Sequence, residues 1–248
     1  MNGTRTKTPP PARRTWTDRV LKIALLLLAV TGVAVGIVTI GILVKGRRTK
    51  AYPSVVHLSG PYCSGVAIRP DVILTAEHCQ TAMGSHIWDG EGQHVGTAAE
   101  PIAECRNGLA VLRVKLDGGQ ILLPIAPDDS DLKDGASTTV VGFGAWPLRV
   151  KFYAVGSAYD ATCPGCADPR GWKARLTSGL ACKGDSGGAG FTAAGVPEKL
   201  AGIIEGAAGN VTMGCASEVV FHRLDAAAMK WVDDSIATYS GTPAMTCP

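Results

Sequence analysis

His78 closes the run CSGVAIRPDVILTAEHC (residues 63–79) directly before a cysteine, and Ser186 lies inside CKGDSGG (residues 182–188). A serine hydroxyl is a weak nucleophile until a base removes its proton, and a histidine is the side chain whose ordinary pKa suits that task. Gly184, Gly187 and Gly188 allow a tight loop that exposes the hydroxyl while backbone N–H groups converge on one point, as a developing oxyanion requires. Either motif alone has an ordinary structural reading, since a histidine after a strand is commonly a partly buried polar residue. Together they point to acyl transfer from an activated serine.

The elements that must carry these residues read as short strands. SVVHL, GVAI, VILTA, LAVLRV, TTVVGF, LAGIIE and EVVF are rich in β-branched residues, with RPD, DGEG, DGG and KDG as turn signals between them. Helical periodicity on this side of the chain is confined to HRLDAAAMKWVDDSIATY, where Leu224, Ala228, Trp231, Val232 and Ile236 fall on one face. The expected fold is all-β with one C-terminal helix.

Charge is distributed unevenly. The formal net charge is +3, yet residues 1–50 carry ten Lys/Arg against the single acid Asp18, and the remainder carries fourteen against twenty Asp/Glu. A uniform nucleic-acid-binding surface is therefore not expected. The basic excess flanks Ile23–Val44, an uncharged run of Ala, Val, Leu, Ile, Gly and Thr that, at about 1.5 Å per residue, is long enough to cross a hydrocarbon core of roughly 30 Å. It reads as a transmembrane signal-anchor. A cleaved signal peptide is the alternative, but the run exceeds an ordinary h-region and ends in KGRR without an A-x-A-like site. The larger basic cluster lies on the N-terminal side, so the N-terminus is expected in the cytoplasm and the bulk of the chain outside. Gly32 and Gly36 form a GxxxG, a spacing common in such helices, and no oligomer is inferred from it.

All eight cysteines (Cys63, Cys79, Cys105, Cys163, Cys166, Cys182, Cys215 and Cys247) follow this segment, as disulfides in an oxidising compartment would require. CPGC at residues 163–166 has the form of half a metal site or of a redox motif. No second CxxC, no paired histidines and no βαβ pattern accompany it, so neither a metal nor another cofactor is expected.

These motifs resemble those of the trypsin-like, chymotrypsin-fold serine proteases over roughly residues 52–240. TAEHC is similar to the family's TAAHC, GDSGG is unaltered, VGFGAW resembles its GWG strand and LAGIIEG its GIVSWG strand. The resemblance implies two antiparallel β-barrels of six strands each, with His78 from the first and Ser186 from the second. It also implies an oxyanion hole of the Gly184 and Ser186 N–H groups, disulfides Cys63–Cys79 and Cys182–Cys215, and a protein or peptide substrate. The organisation is then a basic tail (1–22), membrane helix (23–44), linker (45–51), protease domain (52–240) and short tail (241–248).

Two positions depart from the family together. Its triad aspartate belongs to D-[IL]-A-[LV]-L, and the matching segment here begins at Gly108. The serine of its GIVSWG strand, which lies beside that aspartate, is here Glu205. Two carboxylates could not both ionise cheaply against one histidine, and replacing one by glycine removes the conflict. The acid is therefore expected to have moved to Glu205, with its carboxylate about 2.6–3.2 Å from a His78 ring nitrogen. Glu77 and Asn107 are rival third members, and with no working acid the domain would be an inactive pseudoprotease that serves as a binding module. The family's activating IVGG segment, whose amino group pairs with the residue matching Asp185, does not occur. By the same resemblance Leu180 lies at the base of the specificity pocket and Val219 on its wall, implying a preference for small or medium apolar side chains. Cys105, Cys163, Cys166 and Cys247 allow three pairings.

Overall fold

The computed structural model describes residues 23, 25–27, 47–48, 51–60, 62–82, 84–89, 91–104, 108–118, 120–144, 151–159, 171–192, 198–209 and 214–239. The chain divides into two units, Met1–Ile40 and Gly41–Pro248. In the first, Ile23, Leu25, Leu26 and Leu27 are helical and more than half exposed. Most of the expected membrane segment lies outside the described residues, and among those described no helix is long and apolar enough to cross a membrane.

The second unit is built of two barrels. β2 (Val55–Leu58), β3 (Cys63–Arg69), β4 (Val72–Ala76), β5 (His86–Trp88), β6 (His94–Glu104) and β7 (Leu109–Leu116) close in the order β2-β3-β4-β7-β6-β5. β4 is buried at every position, as VILTA anticipates, and its partner β7 is buried through Leu112. Turn chemistry sets the β5–β6 connection, where the Asp89 carboxylate accepts from the Glu91 and Gln93 N–H groups at 2.8 and 2.9 Å.

The second sheet runs β1-β9-β10-β15-β13-β12-β8, and β9 pairs back to β8, so six of its strands form a ring. These are β8 (Ser137–Gly142), β9 (Phe152–Tyr159), β10 (Gly171–Ser178), β12 (Ala189–Thr192), β13 (Lys199–Ala208) and β15 (Glu218–Arg223). β1 (Arg47–Arg48), inside the segment expected as a linker, adds to β9. β11 (Ala181–Cys182) and β14 (Cys215–Ala216) form a separate short pair.

Each barrel has its own apolar interior, with Ile73, Ile87 and Leu112 in the first and Ala174, Val219 and Phe221 in the second. A third cluster joins Val66 and Leu74 of the first barrel to Phe191 and Leu200 of the second and to the C-terminal helix, Ala226–Thr238. That helix starts where the Asp225 carboxylate accepts from the Ala228 N–H at 2.8 Å. It buries Ala228, Trp231 and Val232 of the expected face, each large side chain contributing about 1.5–3 kcal/mol by leaving water.

Candidate active site

His78 is delivered by the end of β4. The ladder pairs Ala76 with Leu109, and the next amide, Glu77 N–H, donates to the Gly108 carbonyl at 2.8 Å. Gly108 is buried immediately beside the turn that carries the histidine. A 3-10 turn over Glu77–Ala82 then lifts His78 out of the ladder, and its side chain is about half exposed. The disulfide Cys63–Cys79 ties this turn to the start of β3. The sulfurs of Cys63 and Cys79 lie near the His78 ring, but their mutual bond leaves no thiolate for a metal.

Ser186 sits in a loop held by backbone contacts, by the Asp185 carboxylate and by a disulfide. The Gly187 N–H donates to Ile204 O at 2.7 Å and the Ile204 N–H to Gly188 O at 2.8 Å, while the Asp185 N–H donates to Cys182 O at 3.0 Å. Gly184 and Gly187 have positive φ, +102° and +81°, and a side chain on Gly187 would strike Ser64 O and Thr75 Oγ1. The Asp185 side chain is buried, accepting from the Gly144 N–H at 2.8 Å and the Cys182 N–H at 2.7 Å. Gly142 and Gly144 are glycines because a Cβ on either would run into that carboxylate. The disulfide Cys182–Cys215 closes the loop.

Ser64, on β3, joins the two barrels at this point. Its N–H donates to Ser186 O at 2.7 Å, its hydroxyl donates to Gly184 O at 2.8 Å, and that same hydroxyl accepts from the Phe143 N–H at 2.9 Å. Its own carbonyl takes the Thr75 hydroxyl at 2.8 Å, one strand from His78.

Glu205 follows Ile204, the residue bonded to the serine loop. The β13–β15 ladder skips from Ile204–Phe221 to Gly206–Val220, so Glu205 is the bulged residue and has no cross-strand partner. Bulges re-aim side chains, and this one turns the carboxylate toward the first barrel. Its Oε1 lies 3.7 Å from His78 Nδ1, an ion-pair separation longer than the hydrogen bond expected from the sequence. Its Oε2 is 2.7 Å from Nε2 of His222, a buried residue of β15 that no sequence motif marks. Attraction to the Glu205 carboxylate raises the His78 pKa above its ordinary value, against the opposing effect of burial and with a smaller contribution from Glu77. Burial works to raise the Glu205 pKa, but the two histidines outweigh it and hold the carboxyl down at about 2.

Ser186 is half-buried, and its carbonyl touches the Cys79 sulfur next to His78 at 3.7 Å. Leu180 is half-buried ahead of β11, whereas Val219 is fully buried in the apolar interior of the second barrel. Asn107, Cys105, Cys163, Cys166 and Cys247 lie outside the described residues.

A family model described as Trypsin matches residues 43–232, more than three-quarters of the chain. The chain belongs to the trypsin family. Among solved structures, this trypsin-family protein resembles kallikrein-related peptidase 10, with a TM-score of 0.59 and 20% identity over 76% of this chain and 98% of that one. The same peptidase in a complex with Zn2+ gives 0.56 and 19% over the same shares. The HtrA-type protease AlgW with a decapeptide gives 0.56 and 19%, covering 71% of this chain and 52% of that chain. At these identities the likeness establishes the fold. No curated protein matches.

Proposed function

We propose that this trypsin-family protein is a membrane-anchored serine endopeptidase whose domain works outside the cytoplasm. Ser186 is the nucleophile, His78 the base and Glu205 the acid. One observation carries the reading: the Glu205 carboxylate faces His78 Nδ1 at 3.7 Å from a strand whose preceding residue is hydrogen-bonded to the Ser186 loop. Catalytic contacts in unliganded sites are commonly long and tighten when substrate binds.

In the reaction, Ser186 Oγ attacks the scissile carbonyl carbon while His78 Nε2 takes the hydroxyl proton. The Gly184 and Ser186 N–H groups receive the oxyanion. Collapse of the tetrahedral adduct breaks the C–N bond, and His78 returns its proton to the leaving amine. Water, deprotonated in turn by His78, then frees the acid product and restores Ser186. Glu205 keeps the Nδ1 proton of His78 pointed inward and stabilises the imidazolium. Asp185 already accepts two backbone N–H groups, which supports a site assembled without an activating cleavage. The half-buried Leu180 supports a pocket for small or medium apolar side chains.

The uncharged run Ile23–Val44 and its basic flanks support the anchor, and the two disulfides suit an oxidising compartment. A second reading, an inactive domain that binds protein, draws on Gly108 at the family's aspartate position and on the same 3.7 Å separation. Labelling of the full-length protein with a fluorophosphonate separates the two. The proposal requires a covalent adduct on Ser186 that is absent from Ser186→Ala, whereas equal labelling of both proteins ends the enzyme reading.

A further inference from the structure

Glu205 occupies a bulge with no cross-strand partner, and about a third of its side chain is open to solvent. The bulge turns the side chain toward the first barrel, but the backbone pairing does not fix the orientation of its terminal carboxylate. His222 supplies what the bulge lacks. It lies within a continuous ladder, paired with Gly171 on β10 and Ile203 on β13, and only 5% of its side chain is exposed. Its Nε2 meets Glu205 Oε2 at 2.7 Å, which leaves Oε1 as the oxygen directed at His78. A carboxylate can only accept, so the proton of this contact sits on His222 Nε2.

Resting on the reading of Glu205 as the acid, we propose that His222 is its positioning residue. The buried ring, fixed as an Nε2–H donor, holds one carboxylate oxygen so that the other faces the base. The acid is thereby oriented from the rear, as a carboxylate orients a histidine in the ordinary triad, with the partners exchanged. The titratable groups acting on Glu205 are His222 from β15 and His78 from the turn after β4, and Glu77 acts on His78. The residues paired across from His222, Gly171 and Ile203, carry no charge. The arrangement also accounts for the choice of glutamate: a shorter aspartate on this bulge would have to reach both rings with one methylene fewer.

The test uses the full-length protein with two buried replacements, His222→Phe, which fills space without a donor, and His222→Gln, which keeps an N–H. Two quantities are read: the His78 titration midpoint by imidazole NMR and the fluorophosphonate labelling rate. His222→Phe removes a small opposing effect of His222 on His78, but the larger loss of the Glu205 contact should lower the His78 midpoint overall and slow labelling about 10- to 100-fold, the scale of a misplaced catalytic group. His222→Gln should recover most of both. Unchanged values in His222→Phe, or equal losses in both variants, overturn the proposal.

Glu205→Gln run alongside separates the two claims. If it too leaves His78 unmoved, the acid reading itself fails. If it lowers the midpoint and His222→Phe does not, only the role of His222 fails. A wild-type protein that does not label leaves the titration to decide. Should His222→Phe not fold, the wild-type ring decides by its nitrogen shifts: protonated Nε2 is required, and protonated Nδ1 with bare Nε2 contradicts the proposal.

Discussion

Two carboxylates lie behind Ser186, and they are held in different ways. Asp185 is buried with each oxygen on a backbone N–H, and a Cβ on Gly142 or Gly144 would run into its carboxylate. Glu205 is held by two side chains, His78 and His222, on a bulge open in part to solvent. A carboxylate bound by main chain can be replaced only if the loop changes shape. One bound by side chains can be traded, because a partner at another position can offer the same group. On the proposed reading, in which Glu205 is the acid, this difference explains how GDSGG stands unaltered beside a glycine at position 108.

The sharpest break in that comparison is Glu205→Gln. The amide is nearly isosteric and the fold should persist, but it cannot stabilise an imidazolium, so labelling of Ser186 should slow by roughly 10²- to 10⁴-fold, the upper end matching the handicap of a neutralised triad aspartate. The pH profile carries the sign. His78 in the native protein is protonated up to a pH above its ordinary 6.5, so labelling should rise with pH through a midpoint above that value. Removing the Glu205 charge leaves burial as the dominant influence, and the midpoint should move down. Glu205 itself stays ionised in the folded protein to about pH 2, whereas the unfolded chain takes up the proton near 4.5. The stability it contributes is therefore present above pH 4.5 and lost as pH falls from there toward 2, which acid unfolding of the native protein and Glu205→Gln would reveal as converging curves.

Asp185→Asn sharpens the other side. Its amide would turn a donor against one of the two backbone N–H groups, leaving it buried and unsatisfied at a cost of about 1–3 kcal/mol. Melting temperature and labelling should fall together at every pH, whereas the stability lost in Glu205→Gln should vanish as pH falls toward 2. Gly142→Ala is a steric version of the same test. Its Cβ would strike Asp185 Oδ1 and lie 3.0 Å from Asp185 Cα, and overpacking of this kind costs about 1–3 kcal/mol in chemical denaturation.

The same contrast governs what was legible in the sequence. VILTA, LAVLRV and LAGIIE became β4, β7 and β13 because their β-branched residues are buried on both faces. β10, GWKARLTS, was missed because its burial is irregular and its exposed positions are polar and charged, so no run of apolar residues betrays it. The C-terminal helix was readable from its period. His78, Ser186 and the bracketing disulfides were readable because each sits in a local motif. The departures at Gly108 and Glu205 were legible in the sequence, whereas the 3.7 Å between Glu205 and His78 was not: a bulge between Ile204 and Gly206 has no local signature. His222 was invisible, since its role depends on the register of β15 against β13 and nothing in EVVFHR records which ring will face a carboxylate.

The central claim is that the acid moved from the Gly108 position to Glu205, and the most direct test is the Ser186 labelling rate in four full-length proteins: native, Gly108→Asp, Glu205→Ser and the double variant. The account predicts that both single changes label slowly, one with two carboxylates against a histidine and the other with none. The double variant, which restores the arrangement of the family, should label faster than either. A double variant no faster than the slower single change, or a Glu205→Ser protein that labels at the native rate, would contradict it.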